Sequence, residues 1–585
     1  MGFKQFCKDN FVAVSPKKLK KSDLHNVEIS VEDDPFKKSA VIEDKKLDVE
    51  SSVTESSESF RPHRNLKNRH IQLIGIGGTI GTAIFVSISG ALFKGGPLSL
   101  FLGFTIWCIP ILAVTASTAE MVSYLPITSP FIRMAGICCD DALEFVSGLN
   151  FWILTGSLIP YEIVGVNTII HYWSDSYSPA ITICIQIVLY FLINLFSVGI
   201  YGETEFWLSV WKVCLAVGLM FFTLVTMSGG NPLNDAYGYR NWNSPSPMME
   251  YISVGALGRF QGFIACLSQA CFTISGPDYV SSVAGESANP RKTLPTAFKQ
   301  VFYRLTFIFI IGVLCIGTVC SPRDPHLIAA LEEGRPGSGS SPYVIAMDNL
   351  KIKVLPHVVN GALALSAFSS GNSYTYCSSR VLYGLAYTGK APKIFAYCTK
   401  SGIPLYSVLM SLCWAFLSFL EMNTQSQIVL VWIINLVTSS QLLNYTITML
   451  TYTRFYAALK HKGIERKSLP FYAWFQPYTA IFGGFCTFSM IFISQYLLFY
   501  PSREYWAIST FLFAFLSLFV IIALFIAYKL VFRTKWKSVD EIDWELELQE
   551  VERDQAYFDE LAYYDNNAKK PWYDKLIAIL VGNNK

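Results

Sequence analysis

Two membrane-length apolar segments of this sequence are interrupted at their centres, the first by Gly75-Ile76-Gly77-Gly78-Thr79-Ile80-Gly81-Thr82-Ala83 and the sixth by Phe272-Thr273-Ile274-Ser275-Gly276-Pro277-Asp278. A proline inside a helix removes one backbone hydrogen bond and costs about 3 kcal/mol. Interrupted helices at matching places in two halves of a membrane protein are typical of a transport site. We therefore predict two unwound helices whose freed peptide groups face each other across a polar chamber. Close helix packing through small residues is the alternative interpretation.

The composition argues against a string of soluble domains. Of the 585 residues, 52% are hydrophobic and only 15% are charged, whereas soluble proteins carry about 25% charge. Apolar runs long enough to cross about 30 Å of hydrocarbon as helices lie at 71–93, 99–122, 147–170, 179–198, 206–227, 260–283, 303–320, 354–374, 403–421, 429–451, 479–499 and 506–531. The sequence thus predicts an all-α integral membrane protein of about twelve transmembrane helices.

The two ends of the chain are predicted to be soluble tails. Residues 1–69 are polar and lack the early apolar region of a signal peptide. We therefore expect a largely disordered cytosolic tail at 1–69, a twelve-helix domain at 70–532 and a second cytosolic tail at 533–585. Lys and Arg are more frequent in the loops that this orientation places inside, and Arg304 is assigned to one of them.

Four ionisable residues lie inside predicted spans, namely Glu120, Glu162, Lys212 and Asp278. Each costs roughly 2.5–3.5 kcal/mol near the midplane, so such residues usually face a cavity, a partner or a proton path. A lysine held away from water can exchange a proton during a transport cycle. Solvation at the inner interface is the alternative for Lys212 and Glu120.

Other function classes find little support in the sequence. The net charge of +3 indicates no nucleic-acid partner. The fourteen cysteines lie mostly within apolar runs and indicate neither a disulfide framework nor a metal site. No nucleophile–base pair, histidine cluster or phosphate loop indicates an enzyme.

A set of short motifs runs along residues 65–540: Leu66-Lys67-Asn68-Arg69-His70, Gly77-Gly78-Thr79-Ile80-Gly81-Thr82, Ala119-Glu120-Met121, Tyr201-Gly202-Glu203, Glu205-Phe206-Trp207, Gly285-Glu286, Asn289-Pro290-Arg291-Lys292-Thr293-Leu294-Pro295, Ser378-Ser379-Arg380, Ala391-Pro392-Lys393, Arg454-Phe455 and Gln476-Pro477-Tyr478. This set resembles the motifs of the fungal amino-acid permeases, a family of the amino acid–polyamine–organocation superfamily.

The resemblance implies a LeuT-like five-plus-five inverted repeat with two added C-terminal helices, in the plasma membrane and with both termini cytosolic. It also implies proton-coupled symport by alternating access, driven by the proton gradient and without a cofactor. Matching positions imply substrate binding at Gly78, Gly81, Thr82, Ala83, Phe272, Thr273, Gly276 and Asp278. They imply proton coupling through Lys212, Glu120 and Glu162.

Three departures from the family pattern bear on the substrate. Ala83 stands where glycine is usual, Pro277-Asp278 follows Gly276 in place of x-Glu, and Ser129-Pro130 replaces Gly-Ser. Within the family these variants are most similar to the subgroup linked to carnitine and polyamine uptake. The expected substrates are therefore amino acids, carnitine or polyamines. The alternative is a sensor that binds substrate and regulates the uptake of other solutes.

Two further partners are expected besides the small-molecule substrate. The lipid bilayer surrounds the helices, and related permeases imply ubiquitin-ligase adaptors acting on the cytosolic tails. Solvated, disordered tails without such partners are the alternative.

Overall fold

A computed structural model describes residues 71–72, 80–174, 176–195, 198–287, 289–332, 341–399, 402–422, 426–500 and 508–567. Gly78 and the predicted tail 1–69 lie outside these ranges. Within them the regular structure is helical, as the sequence predicts. The α-helices are α1 (Ile88–Tyr124), α2 (Pro130–Cys138), α3 (Asp141–Ile170), α4 (Pro179–Leu195), α5 (Val198–Met227), α6 (Arg240–Asn243), α7 (Ala256–Thr273), α8 (Asp278–Ser282), α9 (Pro290–Arg304), α10 (Gly312–Val319), α11 (Pro325–Glu332), α12 (Pro342–Asn349), α13 (Leu355–Tyr387), α14 (Leu405–Leu412), α15 (Ser426–His461), α16 (Tyr478–Ile493), α17 (Ile508–Phe532) and α18 (Glu545–Asn567).

Shorter helical turns complete several of these elements. Two π-helical turns, Ala83–Ser87 and Leu305–Ile311, precede α1 and connect α9 to α10. The 3₁₀ turns are Ala284–Glu286, Lys393–Ala396, Cys413–Met422, Arg466–Ser468 and Tyr496–Phe499.

The described residues of each predicted span are largely helical, although several spans are built from two pieces. α1 carries the first span into the second across a kink at Gly96, whose φ of 77° is in the left-handed region that favours glycine. The described residues include six helical segments long and apolar enough to cross a membrane, and α4 and α16 are shorter apolar helices. The count of twelve and the inverted repeat remain predictions.

The sixth span is interrupted where the sequence predicts. α7 ends at Thr273 and α8 begins at Asp278, so Ile274–Pro277 lie outside any helix. We call these four residues the second break. In the first span Ile80 and Gly81 are non-helical, and the π-helical turn Ala83–Ser87 follows Thr82. We call residues 80–82 the first break; they are the described end of the interrupted stretch.

Small residues allow α1 and α7 to approach closely. A Cβ atom built on Gly95 would lie 2.6 Å from the carbonyl oxygen of Gly262, and one on Gly103 would lie 3.0 Å from the backbone nitrogen of Leu267. Close approach through small residues is a common way to pack membrane helices. The packing interpretation thus applies to these glycines, which lie outside both breaks.

The centre of the bundle is occupied by α3, which packs between α13 and α15. Because α3 carries Glu162, this packing places a carboxylate deep inside the protein. The chain after α17 folds back onto the predicted inner face. There the Lys537 backbone N–H donates to the Cys139 carbonyl at 2.9 Å, and Trp544 is buried against Tyr124 and Phe455. The described part of the predicted C-terminal tail is therefore docked on the helical domain.

Candidate functional site

Both breaks contribute to one internal cavity of about 10 Å³, which is close to the room that a single water molecule needs. We call it the chamber. Its lining residues are Gly81, Ala83, Leu158, Tyr161, Glu162, Phe272, Thr273, Ser275, Tyr374 and Gln441. Backbone from the two interrupted spans therefore meets at one place, surrounded by aromatic rings and a carboxylate.

The first break is bound by Glu162 of α3. The Thr82 hydroxyl donates to Oε2 of Glu162 at 2.5 Å, and the Thr82 backbone N–H donates to Oε2 at 3.2 Å and to Oε1 at 3.4 Å. Gly81 leaves the space for this contact, since a Cβ at that position would lie 2.1 Å from Glu162 Oε1. A side chain at Gly165 would likewise meet the Thr82 hydroxyl at 2.6 Å.

The second break is bound from α9 and α15. Arg304 Nη2 donates to the carbonyl oxygens of Ser275 at 2.7 Å and Gly276 at 3.3 Å. The Gly276 backbone N–H donates to the Tyr445 hydroxyl at 2.6 Å, and Gln441 donates to that hydroxyl at 2.8 Å. These side chains satisfy backbone groups that the missing helical turn leaves without partners.

Arg304 corrects one prediction made from the sequence. It was assigned to an inner loop, but its side chain is only 3% exposed at the end of α9. The physical reason is the second break itself, because free carbonyls buried away from water need donors. A guanidinium group offers five N–H donors in a planar arrangement, which suits two neighbouring carbonyls.

Lys212 of α5 lies behind the first break and is fully buried. Its ammonium group donates to the Ser370 hydroxyl at 2.9 Å, and that hydroxyl donates to the Ile80 carbonyl at 2.9 Å. Glu205, also fully buried, accepts from Ser369 at 3.2 and 3.3 Å. The lysine is therefore linked to the first break through one side chain of α13 and does not snorkel to the surface.

The two remaining predicted acidic residues occupy different surroundings. Asp278 is buried at the start of α8, where its Oδ1 accepts from the Asn444 amide at 2.9 Å. It does not line the chamber. Glu120 is buried near the inner end of α1 and accepts from Arg466 at 2.7 and 2.9 Å.

The predicted residues thus occupy three kinds of position relative to the chamber. Gly81, Ala83, Phe272, Thr273 and Glu162 line it. Thr82, Gly276 and Lys212 are bonded to breaks or to their neighbours, whereas Glu120 belongs to the inner face. Gly78 lies outside the described residues.

Half of the chamber lining is not among the site residues predicted from the sequence, namely Leu158, Tyr161, Ser275, Tyr374 and Gln441. Tyr161 precedes Glu162 and its ring contacts Phe272 edge-on at 5.1 Å between centroids. Its hydroxyl is bonded to Ser87 at 2.5 Å. A glutamine in mid-span, such as Gln441, was the one available signal, because polar side chains in membrane helices usually face the protein interior.

Comparisons with known proteins decide the family. Residues 70–541 match the amino acid permease family. The chain belongs to the amino acid permease family. It is 50% identical to the general amino acid permease AGP2 of Saccharomyces cerevisiae over 88% of both chains. It is 34% identical to a proline-specific permease of Emericella nidulans, over 85% of this chain and 91% of that one. A lysine-specific permease of Saccharomyces cerevisiae is 33% identical over 87% of this chain and 81% of that one.

Among solved structures, a manganese transporter of Eremococcus coleocola matches with a TM-score of 0.47 and 14% identity. The match covers 84% of this chain and 94% of that one, and it is too distant to support a conclusion about the fold. The permease family and the apolar helices identify a multi-pass membrane protein, and permeases are transporters, not enzymes. The resemblance found in the sequence motifs is thus confirmed at the level of the family.

Proposed function

We propose that this permease is a plasma-membrane symporter that uses the proton gradient to import amino acids or related zwitterions and cations, such as carnitine or polyamines, by alternating access. The observation that carries the proposal is the chamber, where two helix breaks and a buried carboxylate meet. Peptide groups at broken helix ends can bind the charged groups of a small solute without a hydration shell.

Recognition of the substrate is assigned to the two breaks and the rings around them. A carboxylate suits the N–H groups of the first break because a helix begins there. An ammonium suits the carbonyls of the second break, where α7 ends. Tyr161, Phe272 and Tyr374 line the same chamber, and aromatic faces attract quaternary and protonated amines. A solute with both charges, or with several ammonium groups, fits these surroundings.

Proton coupling is assigned to Lys212 and Glu162. Glu120, the third residue that the sequence resemblance implies, is paired with Arg466 at the inner face and is left out of this assignment. Lys212 and Glu162 support the assignment because both are buried beside the first break, where Lys212 donates to Ser370 and Glu162 accepts from Thr82. One charge moved through 100 mV supplies about 2.3 kcal/mol. Since about 1.4 kcal/mol corresponds to a tenfold ratio, one proton concentrates a solute by somewhat under two decades.

The test is uptake of radiolabelled carnitine, spermidine and a set of amino acids in a yeast host that lacks its own permeases. We expect at least one solute to be concentrated, and a protonophore to abolish its accumulation. Lys212→Ala should abolish accumulation while the protein still reaches the membrane, and Lys460→Ala, at an exposed position, is the matched control. No uptake of any solute, or accumulation that a protonophore leaves unchanged, contradicts the proposal.

A sensor is the second candidate, and two contacts favour it. α18 reaches the start of α9, the helix whose Arg304 binds the second break: Gln555 donates to Asn289 at 3.0 Å, and Lys292 pairs with Asp559 at 2.7 Å. Through these contacts, a movement at the second break could be transmitted by α9 to the C-terminal helix α18. We would compare substrate-dependent gene expression in the wild type and in a transport-inactive Asp278→Asn variant. A response that survives in the variant favours the sensor, and a response lost together with uptake favours the symporter.

A further inference from the structure

Each break in the chamber is bound by a side chain with the charge that a substrate would bring. The first break, which suits a carboxylate, is bound by the carboxylate of Glu162. The second break, which suits an ammonium, is bound by the guanidinium of Arg304. Both side chains are almost fully buried and come from different helices, α3 and α9.

The contacts of Glu162 are those of a bound anion. Its two oxygens accept from both donors of a single residue, the backbone N–H and the hydroxyl of Thr82. The missing side chain of Gly81 makes room for this carboxylate. A zwitterionic solute that presents its carboxylate to Thr82 therefore competes with Glu162 for the same donors.

The contacts of Arg304 mirror this arrangement at the other break. One nitrogen bridges two successive carbonyls, those of Ser275 and Gly276. These oxygens lie at the carboxyl end of α7, where the helix dipole favours a cation. Ser275 also lines the chamber, so an ammonium that enters it approaches the carbonyls that Arg304 already binds.

We propose that Glu162 and Arg304 are internal ligands of the two breaks, and that a zwitterionic substrate binds by displacing them. The inference rests on the proposed function in taking the chamber as the substrate site. The small volume of the chamber agrees with it, because about 10 Å³ leaves no room for a solute until side chains move. Displacement also frees the Glu162 carboxylate to accept the substrate's ammonium or a proton, which links binding to coupling.

A specificity rule follows from this competition. Because the substrate must displace an internal ligand, its apparent affinity equals its intrinsic affinity multiplied by the fraction of time that the subsite is free. A solute that carries both charges replaces both ligands, so the donors of the first break and the carbonyls of the second break keep partners. A solute with only one charge leaves one ligand in place, so it uses half of the chamber.

Chemical rescue tests the proposal on the purified full-length protein without any transported solute. Glu162→Ala should be stabilised by acetate and Arg304→Ala by methylguanidinium. At about ten times the dissociation constant, the midpoint of thermal unfolding should rise by about 1 °C in a chain of this length. Each probe should leave the other variant and the wild type unchanged. Equal responses in all three proteins, or no response in either variant, overturn the proposal.

Conservative variants provide a second measurement if the alanine variants do not fold. Glu162→Asp and Arg304→Lys retain the charge but shorten or reshape the internal ligand. We expect each to lower the KM for a zwitterionic solute in counterflow exchange by about tenfold, because a weaker internal ligand is easier to displace. A merely structural role predicts an unchanged or higher KM, which contradicts the proposal. Counterflow needs no proton gradient, so its result is separate from the protonophore test above.

Discussion

Two buried glutamates, one in the chamber and one at the inner face, have opposite kinds of partners. Glu162 is 1% exposed and is bound by the neutral N–H and hydroxyl groups of Thr82. Glu120 is fully buried and forms a two-pronged ion pair with Arg466, at 2.7 and 2.9 Å. It also accepts from the Ala473 backbone N–H at 3.3 Å. Glu162 and Glu120 are therefore buried to nearly the same degree and differ in their hydrogen-bond partners.

The difference indicates which carboxylate is able to change its partner during a transport cycle. A two-pronged arginine–carboxylate pair is geometrically specific and strong, and it holds both groups in place. At the inner face this pair ties α1 to the segment that precedes α16. A carboxylate bound only by neutral donors loses less interaction free energy when a solute takes its place at those donors or when it accepts a proton. We therefore expect transport to depend on Glu162 and stability to depend on Glu120.

The largest effect should come from filling the space beside Glu162. Gly81→Ala places a Cβ 2.1 Å from Oε1 and 2.9 Å from Cδ of Glu162, so either the carboxylate or the first break must move. We expect uptake to fall by at least about 100-fold, since small misplacements in a site commonly cost that much. Gly90→Ala is the matched control, because nothing lies within 4 Å of its added Cβ. Normal uptake by Gly81→Ala would show that this contact is unimportant.

The comparison itself is tested by making the same substitution at both glutamates. Glu162→Gln should abolish concentrative uptake with little loss of stability, because an amide can still accept from Thr82. Glu120→Gln should lower the free energy of unfolding by about 3 kcal/mol, because it leaves the Arg466 charge uncompensated. Its uptake per folded molecule should stay near the wild-type value. Uptake and the thermal midpoint should be measured on both variants. A stability loss in Glu162→Gln together with an uptake loss in Glu120→Gln would contradict the expected difference between the two glutamates.

A smaller effect is expected at the second break. Tyr445→Phe removes the hydroxyl that accepts from the Gly276 N–H at 2.6 Å and leaves a buried donor without its partner, at a cost of about 1–3 kcal/mol. We expect the KM of transport to rise by about tenfold at similar expression. Tyr478→Phe, whose side chain is exposed, serves as the control. An unchanged KM would indicate that Arg304 and Gln441 hold this break without the tyrosine.

The helices and one break could be predicted because the bilayer imposes them. A span needs a fixed length of apolar sequence, and Pro277 is incompatible with a continuous helix. The chamber lining could not be predicted as well, because α3 is apolar around most of its surface and its periodicity does not reveal which side faces inward. Arg304 is the clearest example of a residue whose position could not be predicted from the sequence. It follows a basic stretch, so the charge rule assigns it to a loop, whereas its side chain is buried and donates to the carbonyls of a break about 30 residues earlier in the chain.

The smallest effect is expected for a third carboxylate, Asp559 on α18, which pairs with Lys292 at the surface. The hydrogen bond from Lys292 lowers the pKa of Asp559 below its ordinary value. The pair therefore contributes its stability at neutral pH and loses it as the pH falls through the acidic range. Because both side chains are largely exposed, Asp559→Asn should cost less than about 1 kcal/mol. The difference from the wild type in thermal midpoint should vanish in high salt and near pH 3. A loss as large as that of Glu120→Gln would mean that α18 is held on the helical domain mainly by this ion pair and not by the burial of Trp544 against Tyr124 and Phe455.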